Sequence, residues 1–569
     1  MQLVDARRLT GPNLLSRSPQ VLVELAFDVA DDLQAALATY STELGRMRKA
    51  LDLPDCPALN VRAHRGGAVI GYDAAIDVML ACAEMSEWAA LSACELAAGR
   101  IALPLEPKRL EIAQQLERDR SPRLLALDAE AARRGIPLFW DDEEVSVGAG
   151  SRSACWPRGA LPIAADVHWD RLGTVPISLV TGTNGKTTCT RLLARIAREA
   201  GMHVGSTSSD EIAVGGAVID TGDWTGPAAA RAVLRRKDID FAVLETARGG
   251  ILRRGLAIAE CDAALITNVS DDHLGGYGID DLEAMMRVKA VAAEAVRPSG
   301  TVVLNAHDPK LVALAEGLGP RVVFFADLSR EDPEARAVIA RHRASGGHCV
   351  LAEGGRIVVA SGDTRRSITE LGAVPITFGG AAGYNVENVA AAVAMAGALG
   401  IGDEAIVRGL TSFQPSDNPR RGELLERRGV RVLLDFGHNP DGIRAVMRLV
   451  RSLRADSPGR LTVIAGAAGD RTDSDIEAVA RAVLDAEPDR VLLRDLQGYL
   501  RGRAPGEVPR RLEHALAAGG YASAAVATLD SEVAALRCAF ESALPGDFVV
   551  LLAFLEQDEV HAFLGELGP

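Results

Sequence analysis

The chain has 569 residues, enough at roughly 100 to 200 residues per domain for three or four separate cores. With 48% hydrophobic and 24% charged residues it has the composition of a folded globular protein, which excludes extended disorder. A net charge of −15 opposes non-specific attraction to nucleic acid or to an anionic membrane, and 4% aromatics leaves little for a base-stacking surface. Eight cysteines stand at 56, 82, 94, 155, 189, 261, 349 and 538 without a CxxC pair, so neither a disulfide framework nor a zinc cluster is expected. Asp5, Arg7 and Arg8 occupy the place where a signal peptide needs an apolar core, and a cytoplasmic protein is the expectation. The longest uncharged apolar run, Val389 to Gly402, falls short of the ~20 residues that span a bilayer and predicts a core helix instead.

In chain order, alternation over Val21 to Val29 predicts a strand, and the Ala-rich amphipathic stretches Asp31 to Leu51 and Asp73 to Gly99 predict helices. A charged helix is expected around Arg109 to Arg134. The Gly- and Ser-containing stretch from Gly148 to Gly159 reads as a linker. From Val175 the pattern changes: ISLV, FAVLE, AALIT, TVVLN and VVFF are short β-rich runs separated by helical sequence, the signature of βα units in a mostly parallel sheet. A second break falls near Gln414 to Gly422, after which VLLD, LTVIAG, RVLLR and FVVLLAF start another α/β set. The fold class is therefore α/β with three domains: a small α/β domain and linker over 1–165, a P-loop parallel-sheet domain over 166–413 and a Rossmann-like domain over 414–569.

Between the strand ending at Val180 and a helix starting near Cys189 lies TGTNGKTT, residues 181 to 188. Gly182 and Gly185 let the backbone wrap phosphate oxygens together with Thr183 and Asn184, while the helix N-terminus and Thr188 complete the turn. Lys186 supplies a point charge, and the Thr187 hydroxyl is placed to hold Mg²⁺. Val180 occupies the first glycine position of the full GxxxxGK[ST] pattern. Glu245 ends the FAVLE strand, at the carboxyl edge where open α/β sheets bind ligands, and a carboxylate there suits a metal ion. The next strand runs into Ser270, Asp271, Asp272 and His273, a further set of oxygen and imidazole ligands.

TGTNGKTT, LETARGGILRRGL, TNVSDDHLG, VLNAHDP, GYNVENVAAA and DFGHNPDG occur in the order seen in Mur ligases. GDWTGP at 222 to 227, ARGGILR at 247 to 253, GDR at 469 to 471 and LRGRAPGE at 500 to 507 make the chain most similar to the Mur-like half of the cyanophycin synthetase family. LTGPN at 9 to 13 and RRGIPLFWDDEEVSVGAG at 133 to 150 resemble that family's N-terminal domain and the entry to its ATP-grasp module. The module itself is missing between Gly150 and the phosphate loop, so a separately encoded ATP-grasp partner is one expectation.

The resemblance implies an ADP-forming acid–amino-acid ligase. ATP would convert a carboxylate into an acyl phosphate, and an amino-acid amine, arginine by family default, would attack it. The acceptor would be an aspartyl-peptide side chain or a small carboxylic acid. In this reading Lys186, Glu245, His273, Lys289 and Arg421 carry catalysis, and Thr187, Glu245, His273 and Lys289 serve two Mg²⁺ ions, Lys289 as a carbamylated lysine. Gly182 to Thr188, Asn305, Asn385, Asn388, Arg421 and Asp435 hold the nucleotide, Asp435 at the ribose. His438 and Asn439 follow in the same motif. A homo-oligomer is implied as well. The chain departs from the family pattern at Tyr384 (His or Phe in many relatives), Arg420 (Gly), Trp224 (a small residue) and Glu211 (Gly), the last two where the acceptor would lie. Asp417 to Arg420 spells DNPR, a diaminopimelate-recognition motif in one Mur branch, but at the hinge, where it reads as coincidence. A folylpolyglutamate-synthetase-like ligase would share the phosphate loop but not ARGGILR or LRGRAPGE, and a non-catalytic scaffold would not need Lys186, Glu245, His273 and Asp435.

Overall fold

The computed structural model describes residues 1–28, 32–272, 274–455, 459–522 and 525–568. The N-terminal body is an antiparallel sheet of β1 (Gln2–Leu9), β2 (Gln20–Ala26), β3 (Asn60–His64) and β4 (Gly67–Asp73) in the order β1-β2-β4-β3. Helices Leu33–Ala50 and Met79–Ala97 cover it, burying Val21, Val23, Leu25, Ile70, Tyr40, Leu44 and Trp88 in one core. The strand expected over 21–29 thus ends at Ala26, and residues 29 to 31 lie outside those described. The helix expected from Asp73 starts at Met79, because Asp73 still belongs to a hairpin partner of β2. The charged segment is two helices, Leu105–Asp119 and Pro122–Arg133: Ser121 caps the second, and Pro122 sits where a missing N–H costs nothing.

The stretch read as a linker is instead folded. β5 (Leu138–Trp140), β6 (Glu144–Val147) and β7 (Ala154–Pro157) form a small antiparallel sheet, and Gly148 to Gly150 are buried between β6 and β7. Ala149 and Ser151 donate their N–H groups to the carbonyls of Gly173 and Ile239, 2.8 and 2.7 Å away. Gly150 has φ +61, and a Cβ there would come within 2.7 Å of the Ile239 carbonyl. Its glycine serves close packing, which looks the same in sequence as glycine serving flexibility.

The central sheet has eleven strands: β8 (Ile177–Thr181), β9 (Val204–Thr207), β10 (Glu211–Val214), β11 (Ala217–Thr221), β12 (Phe241–Glu245), β13 (Cys261–Ile266), β14 (Val296–Asn305), β15 (Arg321–Asp327), β16 (His348–Glu353), β17 (Arg356–Ser361) and β18 (Thr364–Glu370). Their order is β11-β10-β9-β12-β8-β13-β14-β15-β16-β17-β18. The seven strands from β9 to β16 pair in parallel, with antiparallel ribbons added at both edges. All five strands read from Val175 to Phe325 are present. Because both faces of the parallel part are covered, these strands are continuous apolar runs rather than alternating ones. The apolar run near Val389 lies in the buried helix Gly383–Ala398, and among the described residues no helix is long and apolar enough to cross a membrane. β8 sits between β12 and β13, which puts Thr181, Glu245 and Ile266 side by side at the carboxyl edge.

The C-terminal body is a six-stranded sheet of β19 (Arg421–Arg427), β20 (Val430–Asp435), β21 (Leu461–Ala465), β22 (Arg490–Arg494), β23 (Val526–Leu529) and β24 (Phe548–Leu551), ordered β19-β20-β24-β21-β22-β23. β19 is antiparallel and the rest are parallel. The hairpin of β19 and β20 starts at Arg421 and ends at its register partner Asp435, so both stand at the edge that faces the central sheet.

Candidate active site between the central and C-terminal domains

The phosphate loop owes its shape to two glycines. Gly182 has φ +142 and Gly185 φ +88, and a Cβ would lie 1.9 Å from Thr267 Oγ1 at the first and 2.3 Å from Asn388 Oδ1 at the second. The loop is braced by its neighbours. Thr183 N–H donates to the Asn268 carbonyl (2.9 Å) and Asn184 N–H to Asn268 Oδ1 (2.9 Å), while Thr267 Oγ1 donates to the Asn184 carbonyl (2.6 Å). Helix Lys186–Glu199 starts directly behind it, and Lys186 Nζ donates to the Thr183 carbonyl at 2.9 Å.

Thr187 is buried and donates to Glu245 Oε2 at 2.8 Å, an oxygen that also accepts the Ser209 N–H at 3.2 Å. The other Glu245 oxygen, Oε1, is buried without a hydrogen-bond partner among the described residues. Burial raises the Glu245 carboxyl, against the pull of Lys186, Arg421 and the Thr187 bond. An orphaned buried carboxylate oxygen beside a threonine hydroxyl fits a hard divalent cation, which would restore the missing interaction. Arg421 Nη2 reaches Thr187 Oγ1 (3.2 Å) and Ser209 Oγ (3.1 Å), and its Nη1 binds Asp210 Oδ2 at 2.5 Å. Arg420 and Arg191 bind the same Asp210 carboxylate. Burial favours protonation of Asp210, but Arg421, Arg420 and Arg191 outweigh it and hold the carboxyl below its usual range.

His273 lies outside the described residues, so its expected metal role has no structural reading. Its neighbour Asp272 bridges the domains, with Arg471 Nη1 at 2.6 Å and His438 Nε2 at 3.7 Å. Lys289, on helix Leu282–Glu294, is 3% exposed. Burial, reinforced by Lys186, lowers its ammonium to about 7, against Asp272 and Asp308. At neutral pH much of it is a neutral, nucleophilic amine, the form a carbamate requires.

The amides expected at the nucleotide are engaged with the framework. Asn305 Nδ2 donates to the Thr267 carbonyl (3.0 Å) and Glu387 (3.3 Å), Asn385 Nδ2 to the Ile376 carbonyl (2.9 Å), and Asn388 Nδ2 to Asn385 Oδ1 (3.1 Å). They set the strand end and helix against which the phosphate loop rests. Asp435 is buried, accepts the Gly437 N–H at 2.7 Å, and is raised by burial to about 6. Beside it Tyr384 keeps a buried hydroxyl without a partner.

Two participants carried no motif of their own: Ser209 and Asp210 reach the site through strand order, beside Asn268 and Asp272 of the TNVSDDHLG segment. Asn439 exchanges two amide hydrogen bonds with Asn184, 3.2 and 2.9 Å, tying the C-terminal body to the phosphate loop. The DNPR segment fastens the hinge. Asn418, fully buried, donates to Thr188 Oγ1 (3.1 Å) and accepts from Arg191, and Asp417 binds Arg195 at 2.9 Å. Glu211 pairs with Arg191 at 3.3 Å, and Trp224 packs partly buried against the central core.

A P-loop α/β sheet followed by a Rossmann-like body defines the class. The model for the Mur ligase middle domain matches residues 180–396 and that for the Mur ligase, glutamate ligase domain matches residues 420–553, and the chain belongs to the Mur ligase family. It is 39% identical over 374 residues to a cyanophycin synthetase of Synechocystis sp., covering 64% of this chain and 42% of that protein. A Nostoc sp. cyanophycin synthetase is 32% identical over 415 residues, 70% of this chain and 45% of that one. The chain therefore spans less than half the length of these relatives. The UDP-N-acetylmuramoyl-L-alanyl-D-glutamate--2,6-diaminopimelate ligase of Corynebacterium efficiens is 28% identical over 408 residues, 69% of this chain and 72% of that one. Among solved structures, E. coli FolC in complex with ADP shares the fold with a TM-score of 0.50 at 19% identity, covering 69% of this chain and 89% of that one.

Proposed function

We propose that this protein is an ATP-dependent amide ligase that activates a carboxylate as an acyl phosphate and joins it to the amine of an amino acid. The observation that carries this reading is the meeting of Lys186, Thr187, Glu245 and Arg421 at one strand edge, across the domain junction. Transfer of a γ-phosphoryl group to a carboxylate builds negative charge on phosphoryl oxygens, and positioned cations there are the main source of rate. Lys186 and the loop N–H groups would hold the β- and γ-phosphates, Arg421 the transferring group, and Asp435 the ribose. Thr187 and Glu245, with Lys289 as a carbamate and His273, would hold Mg²⁺, which when bound neutralises phosphoryl oxygens. The contacts from Asn439, His438 and Arg471 to Asn184 and Asp272 hold the C-terminal body over the loop, which would keep water from the acyl phosphate.

The likeness to cyanophycin synthetases makes arginine the first amine to test and an aspartyl side chain the first acceptor. The purified protein is incubated with ATP, Mg²⁺, an aspartyl peptide and single amino acids, and phosphate release and product mass are read. A product heavier than the peptide by one amino acid less water, formed with equimolar ADP, is the expected result. ADP formation with no adduct for any pair would overturn the ligase reading.

A further inference from the structure

Arg420 is the residue of this junction that local backbone preference argues against. Its φ is +64, a left-handed conformation in which a side chain is strained and glycine is at ease. A strained residue held in place by its surroundings points to a use for its side chain. That side chain lies beside Arg421, and the two guanidinium carbons stand 5.6 and 5.5 Å from the centroid of the Phe436 ring. Both donate to Asp210, at the end of the turn that follows β9, and Arg191 completes a ring of three arginines around that one carboxylate. Three guanidinium groups therefore crowd one carboxylate; Glu211 answers Arg191, while Glu245 and Asp435 act on Arg421, which leaves Arg420 with a share of Asp210. Arg420 also keeps its buried Nε–H without a hydrogen-bond partner among the described residues.

The two arginines are not equivalent. Arg421 extends past Asp210 to Thr187 and Ser209, the phosphate side. Arg420 has Asp210 as its only carboxylate partner among the described residues and borders Tyr499, in the loop just before Leu500 to Glu507 of the C-terminal body. It thus lies on the Tyr499 side of Asp210, apart from the Thr187 and Ser209 contacts of Arg421.

We propose that Arg420 binds the carboxylate of an acidic peptide acceptor, and that Asp210 holds its place until the acceptor arrives. This rests on the ligase reading above and names the acceptor class for that site. Exchange of one carboxylate for another costs little, because Arg420 keeps a charge-assisted hydrogen bond throughout and Asp210 keeps Arg421 and Arg191. A neutral acceptor would leave Arg420 on Asp210 and gain nothing from it.

The test uses the full chain saturated with ADP and Mg²⁺, titrated calorimetrically with tri-aspartate and, as a control, tri-asparagine. Arg420→Gly is the informative variant, since glycine fits the left-handed backbone and should leave Tm equal or higher. It is expected to weaken tri-aspartate binding about tenfold or more, the loss of one charge-assisted contact, with ADP affinity unchanged. Arg420→Lys should recover part of that loss, and Asp210→Asn should tighten tri-aspartate by removing its competitor. Equal tri-aspartate affinity in wild type and Arg420→Gly, equal binding of tri-asparagine, or no tri-aspartate binding to the ADP-loaded wild type would each overturn the proposal while leaving the nucleotide site standing. Failure of the wild type to bind ADP would instead bring down the ligase reading, and this one with it.

Discussion

Two buried ionic clusters lie near the domain junction, and they are built to opposite ends. Arg494 and Glu532 in the C-terminal body are each 1% exposed and 2.7 Å apart. Glu532 also accepts N–H groups of Leu555 and Glu556, both 2.9 Å away, and Arg494 donates to the carbonyls of Leu552 and Ala553. Glu556 adds a second carboxylate beside the pair and the backbone supplies most of the remaining partners, so the pair fixes the loop after β24 and is sealed from solvent. At Asp210 three arginines share one carboxylate, and their side chains are 8 to 17% exposed. A sealed pair held by backbone partners is structural, whereas a partly exposed carboxylate shared by several cations is one that a substrate can displace.

That contrast can be broken by experiment. The largest effect is expected from Lys186→Ala, which removes the cation nearest the transferring group and should lower ATP-dependent phosphate release by about 10³-fold. Near-native turnover in that variant would place the nucleotide elsewhere. Glu532→Ala should act on stability instead: leaving Arg494 buried and unpaired costs about 3–5 kcal/mol, read from urea unfolding, with ADP affinity kept in the folded fraction. If Glu532→Ala weakened ADP binding without loss of stability, the division between the two clusters would fail.

Asp435 gives a pH test of intermediate size. Its carboxyl is raised by burial to about 6, so the folded state holds the proton better than the unfolded chain. The stability this contributes is fully present below pH ~4 and is lost as the pH rises through about 6. A ribose contact that needs the carboxylate has the opposite sign: ADP affinity should rise from pH 5 to pH 7.5, and Asp435→Asn should abolish that rise. A flat profile in the wild type would remove Asp435 from the nucleotide site. The smallest effect belongs to Asn439→Ala, which deletes the amide exchange with Asn184 and should cost about 1 kcal/mol, checked by thermal unfolding of the ADP complex.

Much of the central domain was legible because its information is local. Five apolar runs with helical sequence between them specify a parallel sheet, and TGTNGKTT specifies a phosphate-sized turn wherever a strand meets a helix. Glu245 was legible for the same reason, as the last residue of a strand. The linker reading failed at Gly148 to Gly150 because a glycine that admits a neighbouring carbonyl and one that merely bends leave the same letter. The outermost strands β11 and β18 are short and mostly exposed, so no buried apolar pattern marks them.

The sequence by itself determined the class of fold, the phosphate loop and the residues at the strand ends, because each depends on conformational preferences and apolar patterns within about ten residues. Which side chains meet was decided only by tertiary structure. Asp210 and Arg420 are separated by more than two hundred positions, as are Asn184 and Asn439, and strand order together with the hinge brings them within hydrogen-bonding distance. Charge balance is a property of such meetings. It follows that the crowding of three arginines on Asp210, on which the reading of the acceptor depends, could not be seen until the two domains were placed side by side.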